Sequence, residues 1–380
     1  MQAVLANSLP DSDKFSRPGI AELEINLFGP GYGESIVVHL GGNDWLTIDS
    51  CLDSERHPVG LRYLRDIGVE VDQHVRLVVA THWHDDHIRG LAQILRDASA
   101  SRLVVSSAMK EESFLALVSA MRFNALLSST GVDEWSEILN ILTARKNAGI
   151  VASPQLALGD RLLFKREADA TKGVPDCEVW SLSPSDDSVL SAVGEFRQLF
   201  PKQHMSKARV LAPSPNHTSI VIWIKVGEMR ALLGADLEEM GSRANGWSAI
   251  VDSKTRPDGR AEIFKVPHHG SQNGHHPEVW KQLLVNGSTA FLTPFVHGRT
   301  LLPLKEDVQR IKSHAGASFI TASPDEQKTK RKRKNSVDRT VLEITKNIRN
   351  APVATGHVRL RRNVGENTIR VGLFGTARGL

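Results

Sequence analysis

The first half of the chain alternates short apolar runs with Gly-rich and polar turns. Residues 21–27, 36–40 and 45–48 form short runs rich in β-branched and other apolar residues, which predicts three strands. The mostly apolar run 75–80 predicts a buried strand, and apolar residues at helical spacing over 88–95 predict a helix soon after it. A strand that passes through a polar turn into a helix is typical of an α/β protein.

A helical insert is predicted between about residues 108 and 148. Its apolar residues recur at helical spacing, so we expect two or more helices that cover the mouth of a site. Strands then return, and helices are predicted over 183–200, from 237–240 onward and from 305 onward. The strands predicted in this half are 161–164, 178–182, 220–224, 230–236, 263–266 and 290–295, followed by a closing hairpin from 357–362 and 368–373.

Length and composition permit one large α/β domain or two small ones. The chain has 380 residues, of which 41% are hydrophobic and 24% charged, as in an ordinary globular protein. We expect a flexible leader at 1–19 and one main domain at 20–325. A basic linker or loop is expected at 326–338, and a C-terminal hairpin packed on the domain at 339–380.

Membrane and disulfide signals are absent from the sequence. No apolar stretch reaches the length of a membrane-spanning helix, and residues 1–17 lack the basic and apolar regions of a signal peptide. The two cysteines, Cys51 and Cys177, do not suggest a disulfide framework. We therefore expect a cytoplasmic protein without a membrane partner.

The positive charge of the chain is local. The formal net charge is +4, but one short segment holds six basic residues and no acidic one, and the rest carries 41 basic and 43 acidic residues. Such a run forms either a solvated loop or a contact for a phosphate backbone. Arg359, Arg361 and Arg370 are expected to add positive charge on the outer face of the closing hairpin. The basic segment consists of Lys328, Lys330, Arg331, Lys332, Arg333 and Lys334.

The turn after the strand 75–80 concentrates potential metal ligands. His82, His84, Asp86 and His87 fall within six residues, at the end of a strand where α/β proteins place their chemistry. Imidazole nitrogen suits zinc, and a carboxylate suits a harder ion or a bridged pair of ions. His82 and His84 can serve one metal, and Asp86 and His87 a second one nearby. The alternative is a solvated polar turn.

This motif resembles the signature of the metallo-β-lactamase superfamily. The resemblance implies an αββα sandwich with one or two metals, Zn²⁺ or else Mn²⁺, at the edge where its two sheets meet. The turn 31–35 and the tetrapeptide His-His-Gly-Ser at 268–271 resemble the hydrolase domain of DNA-uptake competence proteins in the same superfamily. Asp49 stands where that family keeps a carboxylate that orients a ligand histidine, although it can also be a turn residue that ends a strand.

The resemblance also assigns the next ligands. The third ligand of the first metal is His217, or else the match is to Asn216 and Ser219, as in competence-type relatives that lack this histidine. Asp236 ends a strand in Gly-Ala-Asp and is the expected bridge between two metals, although it can also cap a helix.

The last histidines leave alternatives open. His268 either binds metal or holds the phosphate and protonates the leaving oxygen, whereas His269 is expected to make supporting hydrogen bonds. His297 is the candidate for the final ligand, unless the second metal has fewer ligands. The predicted catalytic residues are Asp86, His268 and His269, and the predicted metal ligands are His82, His84, Asp86, His87, His217, Asp236, His268 and His297.

The implied activity is hydrolysis by a metal-activated water, with Asp86 orienting that water or accepting its proton. A phosphodiesterase, in particular a nuclease, fits His-His-Gly-Ser and the basic segment, so nucleic acid or another phosphodiester is the expected partner. One alternative is a hydrolase of a small ester, thioester or lactam. Another is a partner or regulator without activity that keeps a metal for structure, as part of a multi-protein system. Separately, residues 28–34 resemble stand-alone hydrolases encoded beside bacterial anti-phage ATPases.

Overall fold

A computed structural model describes most of the chain, and two large sheets form its centre. The first sheet has the strand order β1-β18-β17-β2-β3-β4-β5-β6-β7, in which β4 to β7 run parallel. The ranges described are 4–7, 11–29, 32–110, 130–150, 153–198, 215–298, 300–324 and 355–380. The strands of the first sheet are β1 (Val4–Asn7), β2 (Glu22–Gly29), β3 (Ser35–Leu40), β4 (Trp45–Ile48), β5 (Val75–Ala80), β6 (Arg102–Ser106), β7 (Gln155–Ala157), β17 (Gly356–Asn363) and β18 (Ile369–Phe374).

The second sheet has the order β19-β16-β13-β12-β11-β10-β9-β8. Its strands β11, β12, β13 and β16 run parallel to one another, so their carboxyl ends lie at one edge. A separate hairpin of two short strands, β14 (Phe295–His297) and β15 (Thr300–Leu302), follows β13. The second sheet consists of β8 (Arg161–Arg166), β9 (Cys177–Ser181), β10 (Ile222–Val226), β11 (Met229–Leu233), β12 (Ala261–Lys265), β13 (Leu284–Leu292), β16 (Ala317–Ile320) and β19 (Arg378–Gly379).

Helices cover the outer faces of both sheets. Leu64 and Ile138 belong to an apolar cluster on the first sheet, and Trp247 and Ile311 belong to one on the second. A third cluster, between the sheets, joins apolar residues of β2 and β3 to those of β10 and β11. The expected αββα sandwich is confirmed. The α-helices of the described ranges are α1 (Val59–Asp66), α2 (Val71–His74), α3 (Asp85–Ile88), α4 (Leu91–Asp97), α5 (Thr130–Asn147), α6 (Asp186–Gln198), α7 (Gly246–Asp252) and α8 (Lys305–His314).

The N-terminal residues differ from the free leader that the sequence suggests. β1 pairs in parallel with β18 at the edge of the first sheet, and a 3₁₀ helix spans Asp11–Phe15. Arg359 donates a hydrogen bond to the carbonyl oxygen of Asp13 at 2.8 Å and forms an ion pair with its carboxylate at 3.1 Å. The sequence did not reveal this docking because its partners lie near the opposite end of the chain.

The C-terminal hairpin is part of the first sheet and not an addition packed on the domain. β17 pairs with β2 along its whole length. Arg359 and Arg361 are buried, Arg361 is paired with Glu24, and Arg370 is paired with Glu22. The expectation that these arginines form a positive outer face is therefore wrong, because acidic residues on and beside β2 neutralise them.

The helix expected from 237–240 is also absent from the structure, and α7 begins only at Gly246. The backbone of this stretch bonds elsewhere, since the N–H of Glu239 donates to the carbonyl oxygen of Asn273 at 2.7 Å. Part of the helical insert is confirmed as α5, whereas residues 111–129 and the basic segment 328–334 lie outside the described residues.

Candidate metal centre

The candidate site lies at the carboxyl ends of strands from both sheets. The His82–His87 turn follows β5 in the first sheet, Asp236 follows β11, and His268 and His269 follow β12. Carboxyl ends of neighbouring strands are the usual place for a ligand site in α/β folds. The site therefore depends on the packing of the two sheets, which brings together residues from distant parts of the chain.

Four buried side chains form the core of this site. Asp86, His87, Asp236 and His269 each present a ligand atom, and these atoms all lie within 4.8 Å of one another. Oδ2 of Asp236 lies 3.3 Å from Nε2 of His87 and 3.4 Å from Nε2 of His269. Oδ2 of Asp86 lies 3.5 Å from the same atom of His269. Asp236 thus lies between His87 and His269, the position that its predicted role as a bridge would require.

The unsatisfied polar atoms of this cluster fit a metal. Among the described residues, Nε2 of His82, His87 and His269 and Oδ1 of Asp236 are buried and have no hydrogen-bond partner. Buried polar atoms are nearly always hydrogen-bonded, so several unsatisfied atoms at one place call for an explanation. Imidazole nitrogens with carboxylate oxygens are a donor set that suits zinc and related ions. The residues present therefore fit one or two divalent cations.

The other ring nitrogens of these histidines are held by neighbouring oxygens. Nδ1 of His87 lies 2.7 Å from Oδ2 of Asp49, and the Thr81 hydroxyl donates to that same oxygen at 2.7 Å. Since that hydroxyl hydrogen is used, Oγ1 of Thr81 accepts from Nδ1 of His82 at 3.0 Å. Both rings therefore carry a hydrogen on Nδ1 and present Nε2 to the cluster. Asp49 therefore orients the ring of His87, a candidate ligand.

His269 is oriented through a chain of buried groups. Its Nδ1 lies 3.1 Å from Oγ1 of Thr293, which donates to Oε2 of Glu34 at 2.6 Å. Oε1 of Glu34 lies 2.6 Å from the ammonium group of Lys265. Lys265 in turn donates to the carbonyl oxygen of Ala235 at 2.8 Å and lies 3.8 Å from Oδ1 of Asp236. A continuous chain of contacts through Thr293, Glu34 and Lys265 thus connects His269 with Asp236.

Gly33 allows Glu34 to lie between Lys265 and Thr293. Its φ is +98°, and a Cβ there would lie 2.8 Å from Cβ of Cys51 and 3.0 Å from the carbonyl oxygen of Asp86. Only glycine adopts this conformation without strain at so close an approach. The next residue, Glu34, donates its backbone N–H to the Asp86 carbonyl oxygen at 2.9 Å, which joins the Gly-rich turn to the motif.

The charges within the cluster shift its pKa values in opposite directions. Burial would lower the pKa of His269, but the carboxylates of Asp236 and Asp86 outweigh it and raise that pKa to about 9. The pKa of His87 is raised well above its usual value for the same reason, against the effect of burial. Burial would raise the pKa of Asp86 and Asp236, but His87 and His269 hold both below the usual range. Without a cation, the cluster therefore binds protons on its histidines.

His82 and His84 form the neighbouring part of the site. Their rings meet edge to face, with centroids 5.0 Å apart. Burial lowers the pKa of both imidazoles, and nearby histidines lower that of His82 further. Both rings are therefore neutral at pH 7 and able to donate a nitrogen lone pair, as the motif predicts.

The two adjacent histidines lie in different parts of the site. His269 belongs to the metal cluster, whereas His268 lies at its edge, with Nδ1 3.2 Å from Oε1 of Glu238. Both residues have positive φ, 48° and 53°, and this tight turn sends their rings in different directions. Nε2 of His269 faces Asp86 and Asp236, which makes His269 a candidate ligand beside the supporting hydrogen-bond role expected from the sequence.

The predicted ligands His217 and His297 are not among the four core residues, and neither are His82, His84 and His268. His217 is buried, and its Nε2 has no hydrogen-bond partner among the described residues and lies 3.8 Å from Oε1 of Glu195 on α6. Its neighbour Asn216 lines the cavity instead and donates to Glu238 at 2.8 Å. His297 is exposed on β14, and its ring centroid lies 5.2 Å from that of Tyr32. The sequence left open a family match to Asn216 and Ser219 in place of His217. Of these residues, Asn216 is the one that lines the cavity.

A cavity of about 340 Å³ opens beside the cluster. Some of the predicted ligands, all three predicted catalytic residues, and aromatic side chains of the hairpin β14–β15 and of the Gly-rich turn line it. The lining residues are Tyr32, Trp83, His84, Asp85, Asp86, Asn216, Asp236, His268, His269, Phe295, Thr300 and Leu302.

Comparison with known families agrees with this geometry. A model described as the metallo-beta-lactamase superfamily matches residues 28–285, more than half of the chain. The chain belongs to the metallo-β-lactamase superfamily. The matched range contains all four core residues of the candidate metal centre, and His297 lies outside it.

Individual relatives of this superfamily member are distant. ComE operon protein 3 of Bacillus subtilis (strain 168) is 29% identical over 107 residues, which cover 27% of this chain and 13% of that protein. The match thus spans only about an eighth of that relative. A Cronobacter sakazakii metallo-beta-lactamase with a HARLDQ motif is 12% identical, with 65% of this chain and 77% of that chain covered and a TM-score of 0.33. MEM-A1, a subclass B3 metallo-beta-lactamase from a soil metagenome library, is 11% identical, with 68% and 83% covered and a TM-score of 0.33.

Three important charged residues were missed by sequence reasoning. Glu34 and Lys265 form the buried pair beneath Asp236, and Glu238 holds His268. A charged residue within or beside an otherwise apolar strand run is the signal that could have identified Glu34 and Lys265. Separately, none of the helices in the described ranges has both the length and the apolar character needed to cross a bilayer.

Proposed function

We propose that this protein is a metal-dependent hydrolase that cleaves phosphodiester bonds, with nucleic acid as its substrate. The observation that carries the proposal is a cluster of unsatisfied, buried ligand atoms that opens into a cavity lined by His268. A structural metal site is normally closed by protein ligands, whereas a catalytic one keeps access for water and substrate. A metal-binding role without catalysis fits this open arrangement less well.

One or two divalent cations would be held by the side chains of the candidate centre, which are His82, His84, Asp86, His87, Asp236 and His269. When bound, such cations lower the pKa of a water molecule and stabilise negative charge that develops on the substrate. The Asp49 and Glu34–Lys265 contacts keep the ligand rings and the shared carboxylate in place before the cations arrive.

The side chains around the cavity supply the proton transfers. Asp86 accepts a proton from the attacking water as the new oxygen–phosphorus bond forms. His268, oriented by the carboxylate of Glu238, contacts a phosphate oxygen and donates a proton to the leaving oxygen as its bond to phosphorus breaks. Asn216 lies 3.4 Å from Nε2 of His268 and limits the directions in which that ring can point.

Two sequence features support a phosphodiester as the substrate. His-His-Gly-Ser at 268–271 resembles the competence-type hydrolases, and a short stretch of the chain matches ComE operon protein 3. The six basic residues of 328–334 provide a local positive charge that would meet a phosphate backbone. Arg359, Arg361 and Arg370 are paired with acidic residues, so the basic segment and not the closing hairpin is proposed to make such a contact.

A salt titration tests the role of the basic segment. Replacing its six Lys and Arg residues by Gln or Ser should reduce the dependence of nucleic-acid binding on the logarithm of salt concentration by several units, because each phosphate contact contributes close to one unit. Turnover of bis-nitrophenyl phosphate should stay nearly unchanged, since the metal ligands are intact. An unchanged salt slope would show that the segment does not contact the backbone.

A small ester, thioester or lactam is the second candidate substrate, and the limited cavity volume of about 340 Å³ favours it. That volume is near the lower end of the range for small-molecule pockets, about 300–1,000 Å³. A panel of metal-loaded assays with single-stranded DNA, duplex DNA, RNA, a thioester and a lactam separates the two proposals. Cleavage of the thioester or lactam without cleavage of any phosphodiester would reject the first one.

A further inference from the structure

Three aromatic rings extend from the metal cluster toward solvent. The ring of Phe295 lies next to His269, with centroids 5.2 Å apart, and 5.8 Å from the ring of Tyr32. Tyr32 in turn lies 5.2 Å from the exposed ring of His297. These separations are in the range of aromatic contacts, about 4.5–7 Å. The three rings, here called the aromatic platform, therefore form one connected surface.

The platform is assembled from two distant parts of the chain. Tyr32 belongs to the Gly-rich turn before β3, whereas Phe295 and His297 belong to β14. Tyr32 and Phe295 are half-buried and line the same cavity as Asp86 and His269, so a molecule held at the cluster also meets these rings. None of the metal or proton-transfer roles proposed above uses them.

A cation is part of the same surface. The guanidinium carbon of Arg89 lies 5.8 Å from the centroid of the Tyr32 ring, a distance typical of a cation–π contact. Arg89 thus places positive charge beside the Tyr32 ring. Aromatic rings combined with a nearby arginine are the usual composition of surfaces that bind single-stranded nucleic acid.

We propose that the aromatic platform stacks a nucleobase of single-stranded nucleic acid next to the bond that is cleaved. This inference rests on the proposed phosphodiesterase function and specifies its substrate. Every base has a flat π face, so stacking on Tyr32 and Phe295 gives affinity with little sequence preference. A base inside a duplex presents its faces to its neighbours and would have to leave the stack to reach the rings.

The size and position of the cavity agree with this occupant. A volume of about 340 Å³ suits a single nucleotide unit better than a double helix, whose grooves and backbones require an extended surface. Because Phe295 touches His269, a stacked base lies beside a phosphate held at the cluster. An acyl substrate has no need for a platform of flat rings with an arginine beside it.

Binding of two ligands that differ only by the base tests the platform. Calorimetric titration of the metal-loaded protein compares deoxyadenosine 5′-monophosphate with 2-deoxyribose 5-phosphate. Stacking should make the nucleotide bind about five- to one-hundredfold more tightly. Replacing Tyr32 or Phe295 by Leu keeps apolar volume but removes the π face, so this ratio should fall toward one. Binding of 2-deoxyribose 5-phosphate itself should change little.

Two further variants test whether a lower binding ratio reflects loss of the π face or misfolding of the protein. Phe295→Trp keeps a π face and should retain the ratio. Phe15→Leu removes an exposed aromatic ring outside the cavity and should leave it unchanged. The stacking proposal would be overturned if the parent protein bound the two ligands equally well. It would also be overturned if the ratio stayed the same in both Tyr32→Leu and Phe295→Leu. Turnover of bis-nitrophenyl phosphate by the same samples reports on the phosphodiesterase proposal separately.

Discussion

The ammonium group of Lys265 lies 2.6 Å from Oε1 of Glu34, and both side chains are buried. The pair lies beneath the candidate metal centre, where Lys265 also approaches Asp236 and Glu34 reaches His269 through Thr293. Two buried charges are tolerated here because each has its partner and further hydrogen bonds. The contact therefore connects the stability of the domain with the geometry of its ligands.

Removing one partner of this pair should destabilise the protein strongly. Lys265→Met leaves the Glu34 carboxylate buried without its cation, which costs about 3–5 kcal/mol of unfolding free energy. Lys265→Met combined with Glu34→Gln removes both charges and should recover most of this loss. Urea denaturation of the metal-free protein measures both effects. Lys165→Met, which breaks an exposed pair with Glu167, serves as the matched control and should change stability little.

The carboxylate of Asp49 should control metal affinity without being a ligand. Asp49→Asn weakens the contact that holds Nδ1 of His87, and loss of such an orienting partner typically costs about ten- to one-hundredfold in metal affinity. Competition with a chromophoric chelator measures this change. Asp252→Asn, an exposed residue paired with Arg243, should bind metal like the parent. Equal affinity of Asp49→Asn and the parent would contradict the orienting role.

Metal binding should release protons at neutral pH. In the metal-free protein the pKa of His269 is about 9 and that of His87 is well above its usual value, so both rings are protonated at pH 7. A cation needs the unprotonated nitrogen, and its binding should therefore displace up to about two protons. The affinity should rise with pH until it passes the pKa of His269. Calorimetry in buffers of different ionisation enthalpy measures this release, and identical heats in all buffers would refute it.

Two histidines predicted as ligands should differ in their effect on metal content. The ring of His217 faces Glu195, so His217→Ala should leave the metal-to-protein ratio unchanged. His84 lies against His82 in the cavity, and His84→Ala should lower the ratio. Elemental analysis of the purified variants makes the comparison. A loss of metal from His217→Ala would support the prediction that His217 is a ligand. The segment that carries His217 would then have to rearrange when metal binds.

The sequence predicted the parts of the site that depend on local spacing. Four candidate ligands within one turn are recognisable because their chemistry is concentrated in a few residues, and Asp236 is identifiable as a further candidate from the strand that it follows. The places of His268 and His269 could not be predicted, because both residues have positive φ and a two-residue turn decides which ring faces inward. Sequence spacing carries no information about such a turn.

Long-range pairing limited the prediction of the fold in the same way. The strands β2 to β6 were recognisable from their apolar runs, but the pairing of β1 with β18 and of β17 with β2 joins segments from opposite ends of the chain. The sequence predicts that Arg361 faces solvent, whereas the structure pairs it with the buried Glu24. Burial of a charged residue depends on what packs against it, and a single sequence does not show that partner.

The division of the ligands between the two sheets has a consequence for biosynthesis. His87 is synthesised about 180 residues before His269, and Asp236 also emerges late. At roughly 5–20 residues per second, the ribosome takes on the order of ten to forty seconds to make the intervening chain. During that interval the nascent protein has the His82–His87 motif without its partners, so full occupancy of the centre has to wait until the second sheet has been made.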